Sequence, residues 1–202
     1  LSNKQFRSQE IFIAEGDVVF QNGSSVMVAE KLQYNFKSKI LILNGDIRFN
    51  SKDQFLLASE LKYDFKNKTG FINDIYGSIN FDNLGSIKIE KEIDENIDER
   101  IFLDNKVKNA TLNSTGVLGT EELKLDDLQK WRFKTSRIDI KDNEWFANKL
   151  VLTNDPFNKP QLLINNTGFK SVDEDGEITF KSNWSTIVLD NKIYIPTGPR
   201  TY

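Results

Sequence analysis

Apolar and polar residues alternate with period two along most of this chain, and the alternation comes in copies. Leu41, Leu43, Gly45, Ile47 and Phe49 alternate with Ile42, Asn44, Asp46, Arg48 and Asn50. The phrase "GDIRFN" at Gly45 repeats "GDVVFQ" at Gly16, where Val18 and Phe20 hold the apolar phase. A looser echo, "GSINFD", begins at Gly77, with Ile75, Ile79 and Phe81 in the same phase. The steps are 29 and 32 residues. A second phrase, "AEKLQYNFKSK" (Ala29 to Lys39), returns as "ASELKYDFKNK" (Ala58 to Lys68). There the alternation predicts one apolar face of Val26, Val28, Leu32, Tyr34 and Phe36, and in the next copy one of Phe55, Leu57, Leu61, Tyr63 and Phe65. Period-two alternation of this length predicts half-buried strands.

Between the strands lie "KSK" (37–39), "KNKTG" (66–70), "QNGSS" (21–25) and "NSKDQ" (50–54), rich in turn-forming residues. Each unit therefore reads as a pair of strands with one apolar and one wet face. Such units bury nothing alone; stacked and folded over, they make two facing sheets with an apolar seam. The predicted lining is Val18, Phe20, Leu32, Tyr34 and Phe36 from the first unit, then Ile47, Phe49, Leu61, Tyr63 and Phe65, then Ile79 and Phe81. Asp17, Lys31, Gln33, Asp46, Arg48, Lys62 and Asp64 are expected in water. The glycines at 16, 45 and 77 fall on the apolar face in this reading, where each lets the opposite wall approach or marks a bend.

From Glu90 to Arg100 the chain reads "EKEIDENIDER". Ile89, Ile93, Ile97 and Ile101 permit a short amphipathic helix there, and a solvated connection fits equally. The spacing of its acids is not that of a calcium loop. Strand patterns resume at Arg100 to Asn105 and Val107 to Ser114. They continue through "WRFKTSRIDI" (131–140), with Ile138 and Ile140 apolar, and then Phe146, Leu150 and Leu152 in one phase. No long helical pattern interrupts them, so the fold class is all-β.

Composition removes whole classes of function. The 202 residues contain no Cys and no His, so Ser-His-Asp, Cys-His and Cys/His-zinc chemistry are impossible. The net charge of −3 and the absence of basic runs argue against nucleic acid. Mean hydropathy is −0.48, and no apolar run reaches the roughly 18 residues of a bilayer-spanning helix. The first residues lack a signal pattern, so any export signal is expected to have been removed or to lie outside this chain.

"AEGDVVF" and "LNGDIRF", each followed by "AEKLQYNF" or "ASELKYDF", resemble the OstA-like repeat of the lipopolysaccharide-transport proteins, the LptA/LptD family. The resemblance covers about residues 11 to 82. "WRFKTSRIDI" followed by "WFANKLVLTNDPFNKPQL" is similar to the segment of LptD after its periplasmic repeats, and "TNDPFNKPQ" resembles the cyanobacterial-type branch. The closing "KIYIPTGPRTY" is similar to the approach to the membrane barrel. Well-studied LptD proteins carry disulfide cysteines that this chain lacks.

The resemblance implies a β-taco, an open twisted β-jelly roll of stacked strand pairs, with an OstA-like half at 1–90, its continuation at 91–195 and a tail at 196–202 leading toward a barrel. It implies a periplasmic domain associated with the outer membrane, which holds the lipid A acyl chains of lipopolysaccharide in an apolar groove. It also implies edge-to-edge strand pairing with an LptA-like bridge protein, and neither cofactor nor catalysis. Three alternatives stand beside it: an LptA/LptC-like bridge component, a non-lipid scaffold or adhesin, and a carbohydrate-cleaving enzyme using two carboxylates among Asp139, Glu144 and Asp155. Nearly all the acids lie on polar faces or in turns, which disfavours the enzyme.

Overall fold

The computed structural model describes residues 1–22, 25–51, 54–80, 130–142, 144–155, 159–174 and 177–202. They form one eleven-stranded antiparallel sheet in which spatial order follows chain order. The strands are β1 (Lys4–Arg7), β2 (Ile11–Asn22), β3 (Ser25–Asn35), β4 (Ile40–Ser51), β5 (Gln54–Asp64), β6 (Thr69–Asn80), β7 (Lys130–Lys141), β8 (Glu144–Thr153), β9 (Leu162–Glu174), β10 (Glu177–Leu189) and β11 (Ile193–Thr201). Among the described residues there is no helix. The expected helix near Ile89 and the strands at 100–105 and 107–114 lie outside the described residues. β6 pairs directly with β7, so the sheet is continuous across that interval.

The repeated turns have a repeated cause. Asn35 closes β3 and Asp64 closes β5. The Asn35 side-chain oxygen accepts from the N–H groups of Lys37 (3.0 Å) and Ser38 (2.8 Å). The Asp64 carboxylate accepts from Lys66 (2.9 Å) and Asn67 (3.0 Å). These Asx turns finish with Lys39 and Lys68 at φ 57° and 50°. Successive turns also bond one another: Phe36 N–H donates to Glu10 O, Phe65 N–H to Lys39 O and Asp142 N–H to Lys68 O.

The inward side chains do not keep one parity along a strand. On β3, Ala29 and Leu32 are both buried, and on β5 so are Ala58 and Leu61. The same three-residue step joins Ile72 to Ile75, Thr135 to Ile138, Ala147 to Leu150, Asn166 to Phe169 and Ser182 to Ser185. In a straight strand, residues three apart face opposite sides. Each of these strands therefore turns a corner at its middle. β2 and β4 turn it with a step of four, from Ala14 to Val18 and from Leu43 to Ile47. Within that step Gly16–Asp17 and Gly45–Asp46 all have positive φ, 41° to 76°, and the register with the neighbouring strand shifts. These are β-bulges, which bend a strand and sharpen its twist.

The corners line up into a crease that divides the sheet into two arms. A single buried cluster draws on both, with Ala14, Leu32 and Leu43 from one arm and Val18, Ile47 and Ile75 from the other. The sheet folds over on itself, the architecture expected of a β-taco or open jelly roll.

Several expectations change at the crease. A continuous alternation puts Val26 and Val28 inward; instead Met27 and Ala29 face the cluster, and on β5 Leu56 and Ala58 do so in place of Phe55 and Leu57. On β8, Phe146 pairs with Asp139 on the outer face, while Trp145 and Ala147 take the inner one. Gly16 and Gly45 serve the bend rather than the apolar face. Gly77 is different: it is buried inward, and a Cβ there would meet the Phe133 ring at 2.7 Å. The structural equivalent of Asp17 and Asp46 is Asp74, at φ 52°. "NDIYGS" is thus the third copy, 28 residues after Asp46, and "GSINFD" is not.

Candidate functional site

Four cross-strand rows line the inner face, two on each arm. One runs Ala14, Leu32, Leu43, Leu61, Ile72, Ile138. Beyond it, toward the Asx turns, lies Phe12, Tyr34, Leu41, Tyr63, Gly70, Ile140, Trp145. Across the crease Val18, Ala29, Ile47, Ala58 and Ile75 form the third row. The fourth is Phe20, Met27, Phe49, Leu56, Gly77, Phe133, Leu152, Ile164. Between β2 and β8 Thr135 interrupts this apolar lining; its hydroxyl donates to Lys149 O at 2.7 Å.

The residues expected to line a groove take three kinds of place. Val18, Leu32, Tyr34, Ile47, Leu61 and Tyr63 are buried. Phe20 and Phe49 are half-buried and flank Met27. Phe36 and Phe65 are half-buried at the stacked turns, packed against the cluster. There they form an aromatic rim: Tyr34 and Phe36 meet edge-on at 5.2 Å, Tyr63 and Phe65 at 4.9 Å, and Tyr34 and Phe65 at 6.2 Å. Burial, with the nearby Asp64 and Asp142 carboxylates, raises the Tyr63 phenol above its ordinary value. Ile79 lies on β6, and Phe81 is outside the described residues.

The interior is filled. Tyr34, Leu43, Ile47 and Ile75 are at most 1 % exposed. An apolar guest must therefore part the two arms. The step of three leaves small side chains, Ala29 and Ala58, beside the crease, which is where two arms approach most closely.

The outer side of the crease is polar. Asp17, Asp46 and Lys62 are exposed, and Lys31, Gln33, Arg48 and Asp64 are partly so. Lys31 bonds Glu15 across the strands at 2.6 Å, which holds the Glu15 carboxyl below its usual value. Glu60 accepts from Asn73 at 2.8 Å and Asp74 from Ser59 at 2.7 Å. Arg48 bonds Asp46, and this raises the guanidinium's already high value. Arg137 bonds Asp139 at 2.8 Å and lies over the Phe71 ring at 4.2 Å.

The carboxylates considered for catalysis are spread out. Asp139 is exposed and paired with Arg137. Glu144 opens β8, opposite Lys141. Asp155 lies beyond the far end of β8 and accepts from Gln161 N–H at 2.6 Å. Among the described residues no group of three or more acids is placed to hold a metal ion.

One cluster escaped the sequence reading. Asn166, Ser182 and Ser185 are buried on the inner face of β9 and β10. Ser185 Oγ donates to Asn166 Oδ1 at 2.7 Å, and the Tyr202 hydroxyl donates to the same oxygen at 2.8 Å. Polar residues within a strand default to the wet face in a period-two reading. The three-residue steps from Asn166 to Phe169 and from Ser182 to Ser185 repeat the corner of the other strands, but the step between two serines carries no apolar signal in the sequence.

The two edges of the sheet are unlike. β2 is not an open edge: β1 covers Phe12 to Glu15, and Val19 N–H donates to Leu1 O at 2.7 Å. The other edge, β11, carries Pro196 and Pro199, which have no N–H to offer a further strand. Residues 196–202 run along β10, where Tyr202 exchanges backbone bonds with Phe180 at 2.8 and 3.2 Å.

No curated protein matches the chain. Residues 125–202 match a family described as "Protein of unknown function (DUF3769)". Residues 2–86 match the family of OstA-like proteins, and they span the repeats that form β1 to β6. The creased strands β2 to β6 thus lie within the segment that matches the OstA-like family.

Proposed function

We propose that this sheet is the lipid-holding, periplasmic part of a lipopolysaccharide-transport protein, in which the acyl chains of lipid A lie between the two arms. The observation that carries this reading is the crease: it turns both halves of every strand from β2 to β8 inward, so that a single sheet supplies two facing apolar walls. A few hundred Å² of acyl contact at about 25 cal/mol per Å² gives several kcal/mol before the costs of association. That holds a lipid and still releases it. Neither cofactor nor bond making is required, so the protein acts as a carrier and not as an enzyme.

The same groove serves an LptD-type domain ahead of an outer-membrane barrel or an LptA-like bridge component. In either setting the partner's strand adds at the β1 edge, because the prolines of β11 blunt the other one. The four residues of β1, the exposed Phe6 among them, are the surface such a strand meets.

The test is site-specific photo-crosslinking with a lipid A probe. Groups placed at Leu43, Ile47 and Leu61 are expected to capture lipid, and groups at Asp17 and Lys62 are not. Equal capture from both sets removes the groove and leaves a scaffold.

A further inference from the structure

We propose that the β9–β10 end of the interior is a polar subsite. It receives the hydrogen-bonding base of an acyl chain, a carbonyl with a neighbouring hydroxyl or amide, while the hydrocarbon extends toward β2. The proposal rests on the lipid-holding reading above and gives the ligand an orientation within it.

The inner rows change character along the sheet. The row beside the crease reads Val18, Ala29, Ile47, Ala58 and Ile75 at one end, and Leu150, Asn166 and Ser185 at the other. Asn166 is 1 % exposed and Ser185 is not exposed at all. Burying hydroxyls and an amide costs free energy unless they are bonded, and replacing both partners of such a bond with apolar groups of the same shape is nearly neutral. The fold therefore does not need this cluster; a run of Leu and Val would close the end equally well.

A count of protons and lone pairs shows what the cluster still offers. Asn166 Oδ1 has two lone pairs, and both are taken, by Ser185 Oγ and the Tyr202 hydroxyl. Ser185 has given its proton there, so in the 2.7 Å contact with Ser182 it is the acceptor and Ser182 Oγ the donor. Asn166 Nδ2 carries two protons and makes one bond, to Ile164 O at 3.3 Å. One N–H is left, together with the acceptor capacity of the Ser182 and Tyr202 oxygens. A carbonyl oxygen matches the free N–H, and a hydroxyl or amide N–H matches either oxygen. A plain hydrocarbon matches none of them. Tyr202 closes the cluster: it is half-buried, packs against the core and is held to Phe180 by two backbone bonds, with its hydroxyl on Asn166.

The experiment uses the full chain and two photoreactive probes of equal chain length, dodecane and N-(2-hydroxyethyl)dodecanamide, each bearing a diazirine at the methyl end. Wild-type protein is expected to bind the amide probe about tenfold more tightly, the worth of one or two buried hydrogen bonds. Asn166→Leu and Tyr202→Phe are expected to bring the amide probe down to the affinity of the alkane and to leave the alkane unchanged. Thermal melting checks that each variant is folded. If Asn166→Leu does not fold, Ser182→Ala and Tyr202→Phe, which each remove a single oxygen, decide the matter. Equal wild-type affinity for the two probes, or equal loss of both in a folded variant, overturns the subsite and leaves the groove standing. Failure of wild type to bind either probe overturns the groove and the subsite together.

Discussion

Ala58 and Leu61 stand three residues apart on β5 and both point into the interior, 7 % and 6 % exposed. Opposite them on β4, Ile47 pairs with Ala58 and Leu43 with Leu61, four residues apart. The mismatch of one residue is the β4 bulge at the corner, and it makes the length of the step decisive.

Deleting Ser59 restores an even step on β5. Leu61 and Tyr63 then move to the wet face, or Ala58 and Leu56 do. Either way at least one large apolar side chain loses its burial, worth about 1.5–3 kcal/mol. The expected outcome is loss of the cooperative transition in urea, or a protein that aggregates. A Ser59→Ala variant, which keeps the step, is expected to stay within about 1 kcal/mol of wild type.

The glycines divide by role. Gly45→Ala must hold a Cβ at φ 73°, a cost of about 1–2 kcal/mol; the carboxylate end of Glu30 that it meets can swing into solvent, while the Glu30 Cβ, 2.9 Å away, must give by a small shift. Gly77→Ala places its Cβ 2.7 Å from the Phe133 ring and 2.8 Å from Phe55 O, and neither can retreat. Its expected cost is larger, about 2–4 kcal/mol, as overpacking against ring and backbone demands. Urea midpoints in the reverse order would mean that the bend, and not the close approach, limits stability.

Acid should act on the repeated turn. The backbone N–H of Asn67, more than any other cause, holds the Asp64 carboxyl below its ordinary value. A depressed carboxyl stabilises the fold above its unfolded value, about 3.9, and that contribution vanishes as pH falls through the lower folded value. Asp64→Asn copies the Asn35 turn, which needs no charge. Between pH 5 and pH 2 wild type is expected to lose more melting temperature than Asp64→Asn does. The difference is worth less than about 1 kcal/mol because the carboxylate faces water. Parallel pH profiles would show the turn to be indifferent to this charge.

Apolar bulk and surface charge should separate cleanly. Ile47→Ala at a 1 % exposed position leaves a cavity and is expected to cost about 2–5 kcal/mol. Asp139→Asn removes an exposed partner of Arg137 and is expected to change stability by about 0.5 kcal/mol or less. It should also leave capture of a lipid probe unchanged. A folded Ile47→Asp protein that still captured lipid while Asp139→Asn did not would return the carboxylates to first place.

Much of this architecture was legible in the chain. Strand type, the turns after Asn35 and Asp64, and the inward Leu32, Tyr34, Ile47, Leu61 and Tyr63 all follow from alternation within one arm. What failed, failed at the crease. A period of two presumes a straight strand, so it carried the phase of Leu32 back to Val28 when the corner had already passed it to Ala29. The spacing was in view in "AEKL" and "ASEL", three residues from small to large apolar. The third copy was misplaced because Gly marks the first two, whereas β2, β4 and β6 bend through positive φ, which Asp74 adopts without a glycine beside it. Asn166 and Ser185 were missed for a related reason: no local pattern says that a polar side chain in a strand is facing a hydrocarbon interior.

Because each described strand bonds only to the described strands next to it in chain order, the length of the interior is a countable quantity. Two strands arrive with every 29 residues of repeat, and strands lie about 4.8 Å apart. One further copy of Ile40 to Lys68 would lengthen the trough by about 10 Å and leave both ends as they are. The reach of such a protein across a gap is therefore set by copy number, a property that duplication of a short segment can change without redesigning any contact.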